Sequence, residues 1–117
     1  MAQTAVAISQ TSTFDIIRTL AYTGISGTYA AVGTPSTHRV RAVCFTNNTD
    51  GDMLFSYDGV NDYIFVAAKS YKLWDVSTNK ETNCNNYQPV GVQWYVKEST
   101  APSMDSVYIE YMYSVGE

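Results

Sequence analysis

The chain has 117 residues, enough for one hydrophobic core and too few for two, and its 45% hydrophobic content argues against a wholly disordered protein. A net charge of −4 with seven scattered basic residues disfavours nucleic-acid binding, and no apolar run approaches the roughly 20 residues that span a bilayer. Charged residues reach only 15% while tyrosine occurs ten times, a balance typical of a protein held in an assembly.

The N-terminal residues 1–12 are weakly hydrophobic and rich in Ala, Thr, Ser and Gln. They contain neither a basic stretch nor a long apolar stretch, so we expect no secretory signal and folding in a cytoplasm. We predict that residues 1–12 form a flexible arm that orders against a neighbouring molecule, and that residues 13–117 form one domain. The first predicted strand follows, with Phe14, Ile16 and Leu20 on its apolar face and Arg18 interrupting the alternation.

Alternation with a period of two residues continues along the chain, whereas the helical period is almost absent. The segment 38–45 begins as an alternating strand and becomes apolar on both faces, which predicts a strand at the centre of a sheet. Segments 52–57, 62–68 and 71–76 predict three more strands. Two later strands have apolar faces formed by Val90, Val92, Trp94 and Val96, and by Val107, Ile109, Tyr111 and Tyr113.

These short strands alternate with turn-forming segments rich in Gly, Pro, Asn and Asp. The pattern predicts an all-β fold, a single antiparallel β-sandwich of the jelly-roll or Ig-like kind. Trp74 and Trp94 are expected to anchor its core.

The stretch from Phe55 to Val66 contains two acidic residues, an asparagine and a glycine between two aromatic segments. A hairpin explains every residue, because Gly59 supplies a positive φ and Asp58 and Asn61 can bond their own backbone. A calcium site at Asp58, Asn61 and Asp62, with help from Asp50 and Asp52, is the alternative, although the glutamate of an EF-hand is absent. We favour the hairpin turn, formed by Asp58, Gly59, Asn61 and Asp62.

The chain offers little material for catalysis or for a cofactor. His38 is the single histidine, and no nucleophile, phosphate-binding loop or zinc spacing accompanies it. We therefore expect no enzyme, no catalytic residue, no metal and no cofactor. Cys44 and Cys84 are expected to be free thiols in a reducing compartment, although a disulfide stays open. The glycosylation pattern at Asn47 is interpreted as turn composition.

The sequence also contains candidates for contacts with other molecules. Arg39 and Arg41 stand two residues apart on one predicted strand and would project two cations from one face. Tyr95 and Tyr108 lie opposite the apolar faces of their strands, and exposed tyrosine gives a large contact area at low entropic cost. We predict an interface at these four residues.

Three successive segments together form one recognisable pattern: "VCFTNNTDGDMLFSYDGVNDYIFV", then "YKLWDVSTN", then "VQWYVKES" continuing to "VYIEYMY". This pattern, over residues 40–113, resembles small structural proteins of the tailed-bacteriophage virion. Two turns depart from it, because "AAKS" and Met104–Asp105 stand where the pattern has glycine.

The resemblance implies a non-enzymatic structural subunit with a β-sandwich fold that acts through repeated subunit contacts. Its place would be capsid decoration, the head–tail neck or the tail. Its partners would be copies of itself and other virion proteins, such as the major capsid, portal or tail proteins, with no nucleic acid and no membrane. It would be assembled in the host bacterial cytoplasm and reside in the virion. A receptor- or carbohydrate-binding module of a phage tail is the alternative, with Trp74, Asp75 and Tyr63 as the stacking and polar groups.

Overall fold

The structure, a computed structural model, describes residues 12–76 and 88–114. These residues form nine strands and one short 3-10 helix, and every strand pair is antiparallel. The strands are β1 (Ser12–Phe14), β2 (Arg18–Ala21), β3 (Ala30–Ala31), β4 (Val40–Asn47), β5 (Met53–Ser56), β6 (Ile64–Val66), β7 (Ser70–Asp75), β8 (Tyr95–Glu98) and β9 (Ser106–Ser114). The 3-10 helix, Tyr22–Gly24, follows β2. No helix in the described ranges has the length and apolar character that crossing a bilayer takes.

The strands make two packed sheets. In the larger sheet, β1 and β2 both pair with β9, which pairs with β4, which pairs with the edge strand β7. The smaller sheet has the order β3-β8-β5-β6. The predicted antiparallel β-sandwich is therefore confirmed, with β4 inside the larger sheet as expected from its two apolar faces.

The core lies between the inner faces of the two sheets. Phe45 of β4 is at its centre, with its ring 5.2 Å from that of Phe55 and 4.7 Å from that of Trp94, in a tilted and an edge-on contact. All three side chains are almost fully buried. Burial of large aromatic rings in these geometries is a main source of stability in a domain of this size. The remaining members of the core are Ile25, Val32, Val40, Val43, Met53, Val66, Val96, Val107, Ile109 and Tyr111.

The first strand prediction was wrong about which residues are buried. Residues 15–17 separate β1 from β2, and Phe14 and Ile16 are 69% and 80% exposed. Arg18 instead faces inward opposite Ile109 and is only 4% exposed. The interruption in the apolar pattern therefore marks a buried cation on the inner face.

Burial of Arg18 is possible because its guanidinium group is fully engaged. It donates hydrogen bonds to the carbonyls of Ile16 (2.6 Å), Thr34 (3.0 Å) and Pro35 (2.7 Å). It also forms an ion pair with Asp15 at 3.2 Å and lies 5.1 Å from the centre of the Tyr111 ring. Arg18 thus ties β2 to the segment after β3, and so ties one sheet to the other.

Two further expectations about buried residues need correction. Trp94 is a core residue as predicted, but Trp74 on the edge strand β7 is 43% exposed. Val90 is 59% exposed, because β8 begins only at Tyr95 and the chain before it lies outside the sheet. The proposed arm lies outside the described residues except for Ser12, which begins β1. Cys84 also lies outside them, while Cys44 is a half-buried free thiol.

The segment "AAKS" and the pair Met104–Asp105 stand where the resembling proteins have glycine, and each contains one residue in the left-handed conformation that glycine favours. Lys69 and Asp105 have φ values of 59° and 68°, in the left-handed region that side chains disfavour. The Lys69 ammonium group donates to Asp105 Oδ2 at 3.0 Å and to the carbonyl of Asn48 at 2.8 Å. The two non-glycine residues are therefore paired with each other across the turn region.

Candidate functional site

The loop between β5 and β6 is organised by one carboxylate. Asp58 Oδ1 accepts hydrogen bonds from the backbone N–H groups of Val60 (2.8 Å) and Asn61 (3.0 Å) and from Ser56 Oγ (2.7 Å). Its Oδ2 accepts from the Tyr63 hydroxyl at 2.9 Å and from the Asn61 amide at 3.1 Å. The Asn61 backbone bond, followed by those of Ser56 and Val60, holds the pKa of Asp58 well below its usual range. These bonds occupy the lone pairs that a cation would need.

The other turn residues also have structural partners. Gly59 has a φ of +72°, and a Cβ atom there would meet the Tyr95 ring at 3.6 Å. Asp62 accepts a hydrogen bond from the Tyr29 hydroxyl and lies 3.3 Å from the Lys97 ammonium, and these contacts lower the pKa of its carboxyl. Among the described residues, no three His, Cys, Asp or Glu side chains cluster closely enough to hold a metal ion.

Asp50 and Asp52, the other residues of the calcium alternative, belong to a separate turn. Asp50 accepts from the backbone N–H of Ser103 at 2.7 Å and from its hydroxyl, while Asp52 accepts from the N–H of Ala68 at 2.9 Å. The nearby Asn47 is completely buried, and its amide nitrogen donates to the carbonyls of Gly51 and Val66. The whole turn is therefore closed by internal hydrogen bonds.

His38 lies beside the Arg18 ion pair. Its ring stacks on Tyr113 at 3.7 Å, and its Nδ1 is 3.6 Å from Asp15 Oδ2. Burial raises the pKa of Asp15, but hydrogen bonds from the Ile16 N–H, Thr37 and Arg18 outweigh it and lower that pKa to about 2. Asp15 is thus held as an anion that supports Arg18.

The four predicted interface residues do not form one surface. Tyr108 lies on the outer face of the larger sheet and Tyr95 on the outer face of the smaller one, so the two tyrosines are on opposite sides of the sandwich. Arg39 precedes β4, and a register shift between Val40 and Ala42 breaks the alternation on which the arginine pair was based. Arg39 is exposed and Arg41 half-buried.

The outer face of the larger sheet is unusually apolar. Alternation along each strand places the neighbours of the buried residues on this face. Phe14 (69% exposed), Tyr71 (69%) and Leu73 (60%) protrude there, beside the half-buried Tyr108 and Met112. We call these five residues the outer apolar face. Their register partners in the neighbouring strands include Thr46, Cys44 and Ala42. Two acids lie on the same face, Glu110 in β9 and Asp75 in β7.

A second apolar surface opens between the edge strands β6 and β7, and sequence reasoning missed it as a unit. Tyr57 and Tyr63 stack on each other at 4.2 Å, while Tyr57 and Trp74 meet Trp94 edge-on at 5.7 and 6.3 Å. Tyr57, Tyr63 and Trp74 are each about half exposed, and Trp94 is buried beneath them. We call these four residues the aromatic groove. A hydrogen bond involving Tyr57, together with that to Asp58, raises the pKa of Tyr63 to about 12, so the Tyr63 hydroxyl stays protonated near neutrality.

The groove has two adjacent chambers, and Tyr57, Trp74 and Trp94 line both of them. The first, about 380 Å³, also has Lys72 in its wall. The second, about 310 Å³, has Gln88 in its wall. Both volumes lie within the range of ligand sites in proteins. The sequence shows aromatic residues in β7 and in the β5–β6 hairpin, but their meeting in one groove is evident only in the fold.

Comparisons with known proteins do not assign the chain to a family. Neither the models of protein families nor the curated proteins give a match. Among solved structures, one neighbour comes from work whose title is "Bacillus endospore appendages form a novel family of disulfide-linked pili". It shares 14% identity with a TM-score of 0.49, over 91% of this chain and 90% of that chain. A likeness of this degree carries no conclusion about function.

Proposed function

We propose that this chain is a non-enzymatic structural subunit that assembles with copies of itself. The observation that supports it is the outer apolar face, where Phe14, Tyr71 and Leu73 expose most of their surface to water. Leaving such side chains in solvent has a free-energy cost, and contiguous exposed apolar patches are typical of interaction sites. Protein interfaces are likewise enriched in aromatic residues and methionine, the types that Phe14, Tyr71, Tyr108 and Met112 contribute.

The edge strand β7 extends this surface. Five of its six residues are exposed, so neither of its faces is covered along the strand. Exposed edge strands with large apolar side chains pair readily with other chains unless charges or bulges prevent it. Among the described strands, none pairs with the outer side of β7, and Lys72 and Asp75 are its only charged residues. Tyr71 and Leu73 therefore combine an apolar surface with a sheet edge, which suits repeated contacts between identical subunits.

The particle we propose is that of a tailed bacteriophage, in which the chain would serve in capsid decoration, the neck or the tail. The resemblance of residues 40–113 to such virion proteins supports this part of the proposal. The subunit would fold in the cytoplasm of the host and end in the virion, in contact with copies of itself and with capsid, portal or tail proteins. Mass spectrometry of purified particles tests this placement. Many copies per particle indicate the shell, a single ring of copies indicates the neck or tail, and absence from the particle refutes the virion role.

Self-association is tested by sedimentation of the purified protein over a range of concentrations. We expect oligomers, and we expect Tyr71→Lys to shift them to monomers, because it would bury a lysine head group in the apolar contact. Tyr71 belongs to the outer apolar face and does not line the aromatic groove. Val60→Lys is the matched control, since Val60 is 75% exposed in the β5–β6 loop and lies outside the outer apolar face. A wild-type protein that stays monomeric at every concentration would contradict the proposal, as would an equal effect of both substitutions.

A further inference from the structure

We infer that the aromatic groove is a carbohydrate-binding site, a property independent of self-assembly. The first observation is the groove's composition. Both tryptophans of the chain and two tyrosines line it, and its walls are almost wholly apolar. Aromatic rings of this kind offer flat apolar surfaces with polar groups at one end. The C–H face of a pyranose ring is a complementary flat surface, and its rim carries hydroxyl groups.

The second observation is a buried donor without an acceptor. Gln88 is 3% exposed, and its backbone is fixed by two hydrogen bonds with Val40 of 2.8 and 2.9 Å. Its Oε1 accepts a 2.8 Å hydrogen bond from the Trp94 indole, which determines the orientation of the amide group. Among the described residues, none accepts a hydrogen bond from Gln88 Nε2. An unpaired buried donor costs about 1–3 kcal/mol, so it calls for an explanation.

The chemistry of the walls selects among possible ligands. A lipid chain would fill the apolar chambers but would leave Gln88 Nε2 unpaired. A quaternary ammonium group would suit an aromatic cage, but Lys72 lies in the wall and none of the described lining residues is acidic. A nucleic acid would meet a protein of net charge −4 with one cation in the groove.

A saccharide satisfies all of these conditions. Its C–H face can lie on Trp74 or Tyr63. Gln88 Nε2 has less than 1 Å² of accessible surface, so a hydroxyl or ring oxygen accepts its hydrogen bond once the side chains that cover it move aside. Lys72 is compatible with neutral sugars and favourable for sugars that carry a carboxylate. The two adjacent chambers, one with Lys72 and one with Gln88, would accommodate consecutive units of an oligosaccharide.

Intrinsic fluorescence tests the inference directly, because both tryptophans of the chain lie in the groove. The full chain is titrated with tetra- to hexasaccharides of glucose, galactose, N-acetylglucosamine and glucuronic acid, up to millimolar concentration. We expect a saturable change with at least one of them. Trp74→Ala removes the exposed platform and should abolish binding, with Trp94 as the remaining reporter. Gln88→Leu should weaken binding by about tenfold, the loss of roughly one hydrogen bond.

Tyr71→Ala is the matched control, since Tyr71 is exposed on the same strand but outside the groove, and it should bind with unchanged affinity. If Gln88→Leu fails to fold, the comparison of Trp74→Ala with Tyr71→Ala still decides whether saccharides bind in the aromatic groove. No response to any saccharide overturns the inference, and so does unchanged binding by Trp74→Ala. If Trp74→Ala instead prevents self-association while no saccharide binds, the groove belongs to the contact between subunits. A monomeric protein that binds saccharide would refute the assembly proposal alone.

Discussion

The two lateral edges of the sandwich differ in how the gap between the sheets is filled. On the β2–β3 edge, Arg18 extends from one sheet to three carbonyls, two of them in the segment after β3. On the β6–β7 edge, aromatic rings stand half exposed around a groove, and Gln88 Nε2 lacks an acceptor among the described residues. The first edge is closed by Arg18 and its partners, although the hydroxyl of the adjacent Tyr111 has no hydrogen-bond partner among the described residues. The second edge leaves aromatic surface exposed to a ligand.

This difference indicates where substitutions should affect stability and where they should affect binding. A fully engaged buried cation is costly to remove, because its partners lose their bonds all at once. A half-exposed ring makes fewer contacts within its own chain. The β2–β3 edge is therefore expected to be sensitive in unfolding experiments, and the β6–β7 edge in binding experiments.

The largest effect is expected at Arg18. Arg18→Met keeps much of the aliphatic volume but leaves three carbonyls and Asp15 without their partner, so we expect a loss of about 3–5 kcal/mol in the free energy of unfolding. Urea denaturation measures it. Lys72→Met is the control, because Lys72 lies on the edge strand β7 at the other side of the sandwich. It should change the free energy of unfolding by less than about 0.5 kcal/mol. Similar losses for the two variants would remove the proposed difference between the edges.

Gly33 is the second sensitive position. It has a φ of +65°, and a Cβ atom there would lie 2.5 Å from Cγ of Arg18. Gly33→Ala should therefore cost about 1–3 kcal/mol, through backbone strain and displacement of the guanidinium group. Gly27→Ala is the control, because a Cβ at Gly27 meets nothing within 4 Å. Thermal unfolding of both variants checks the prediction, and a Gly33→Ala protein as stable as the wild type would contradict it.

The Asp15 carboxylate should make the same edge sensitive to acid. Its pKa is about 2 in the folded protein, below its value of about 3.9 in an unfolded chain. Its contribution is thus fully present above pH 4 and is lost as the pH falls toward 2. The stability difference between wild type and Asp15→Asn should therefore shrink over that range in urea unfolding curves. A difference that stays constant from pH 5 to pH 2 would mean that the charge of Asp15 does not support Arg18.

The smallest effect is expected at Lys69, near the opposite edge. Lys69→Gly relieves the left-handed conformation at φ 59° but removes an exposed ion pair with Asp105. The two contributions are each about 1 kcal/mol or less and have opposite signs, so the free energy of unfolding should change by less than about 1 kcal/mol. A large loss in chemical denaturation would show that the pair fixes the turn. Of the two positions with positive φ, position 69 is thus expected to tolerate both glycine and a larger residue, whereas position 33 is expected to tolerate only glycine.

The sequence predicted the fold class because alternation survives in the strands that face the core. Val107, Ile109 and Tyr111 are buried as their spacing indicates, and the rise in hydrophobicity at Cys44 and Phe45 marks the inner strand β4. The alternation is misleading at β1 and β2, because it places Phe14 and Ile16 on an apolar face although both are exposed. An arginine at an apolar position looks like an interruption of the strand when only the sequence is considered. Two of the carbonyls that allow Arg18 to be buried belong to Thr34 and Pro35, which are distant in the chain, so the local pattern does not reveal them.

The aromatic groove could be predicted only in part. Trp74 and Tyr63 were named as possible sugar-stacking residues, but Trp74 was also assigned to the core, and no spacing indicated that it meets Tyr57 or Trp94. Their association depends on β6 and β7 forming the same lateral edge of two different sheets. The outer apolar face was missed for a similar reason, because Tyr108 was identified from its own strand while Phe14 and Leu73 come from distant ones.

The buried side chain of Asn47 has a practical consequence for producing this protein. Both hydrogens of its amide nitrogen are donated within the fold, to the carbonyls of Gly51 and Val66. Asn47 nevertheless begins an Asn-Asn-Thr sequence that secretory glycosylation recognises. A sugar added there during export would remove one of these hydrogens and would need space that a completely buried site does not have. Expression in a bacterial cytosol avoids this conflict, whereas secretion from yeast or insect cells would trap glycosylated chains before they fold.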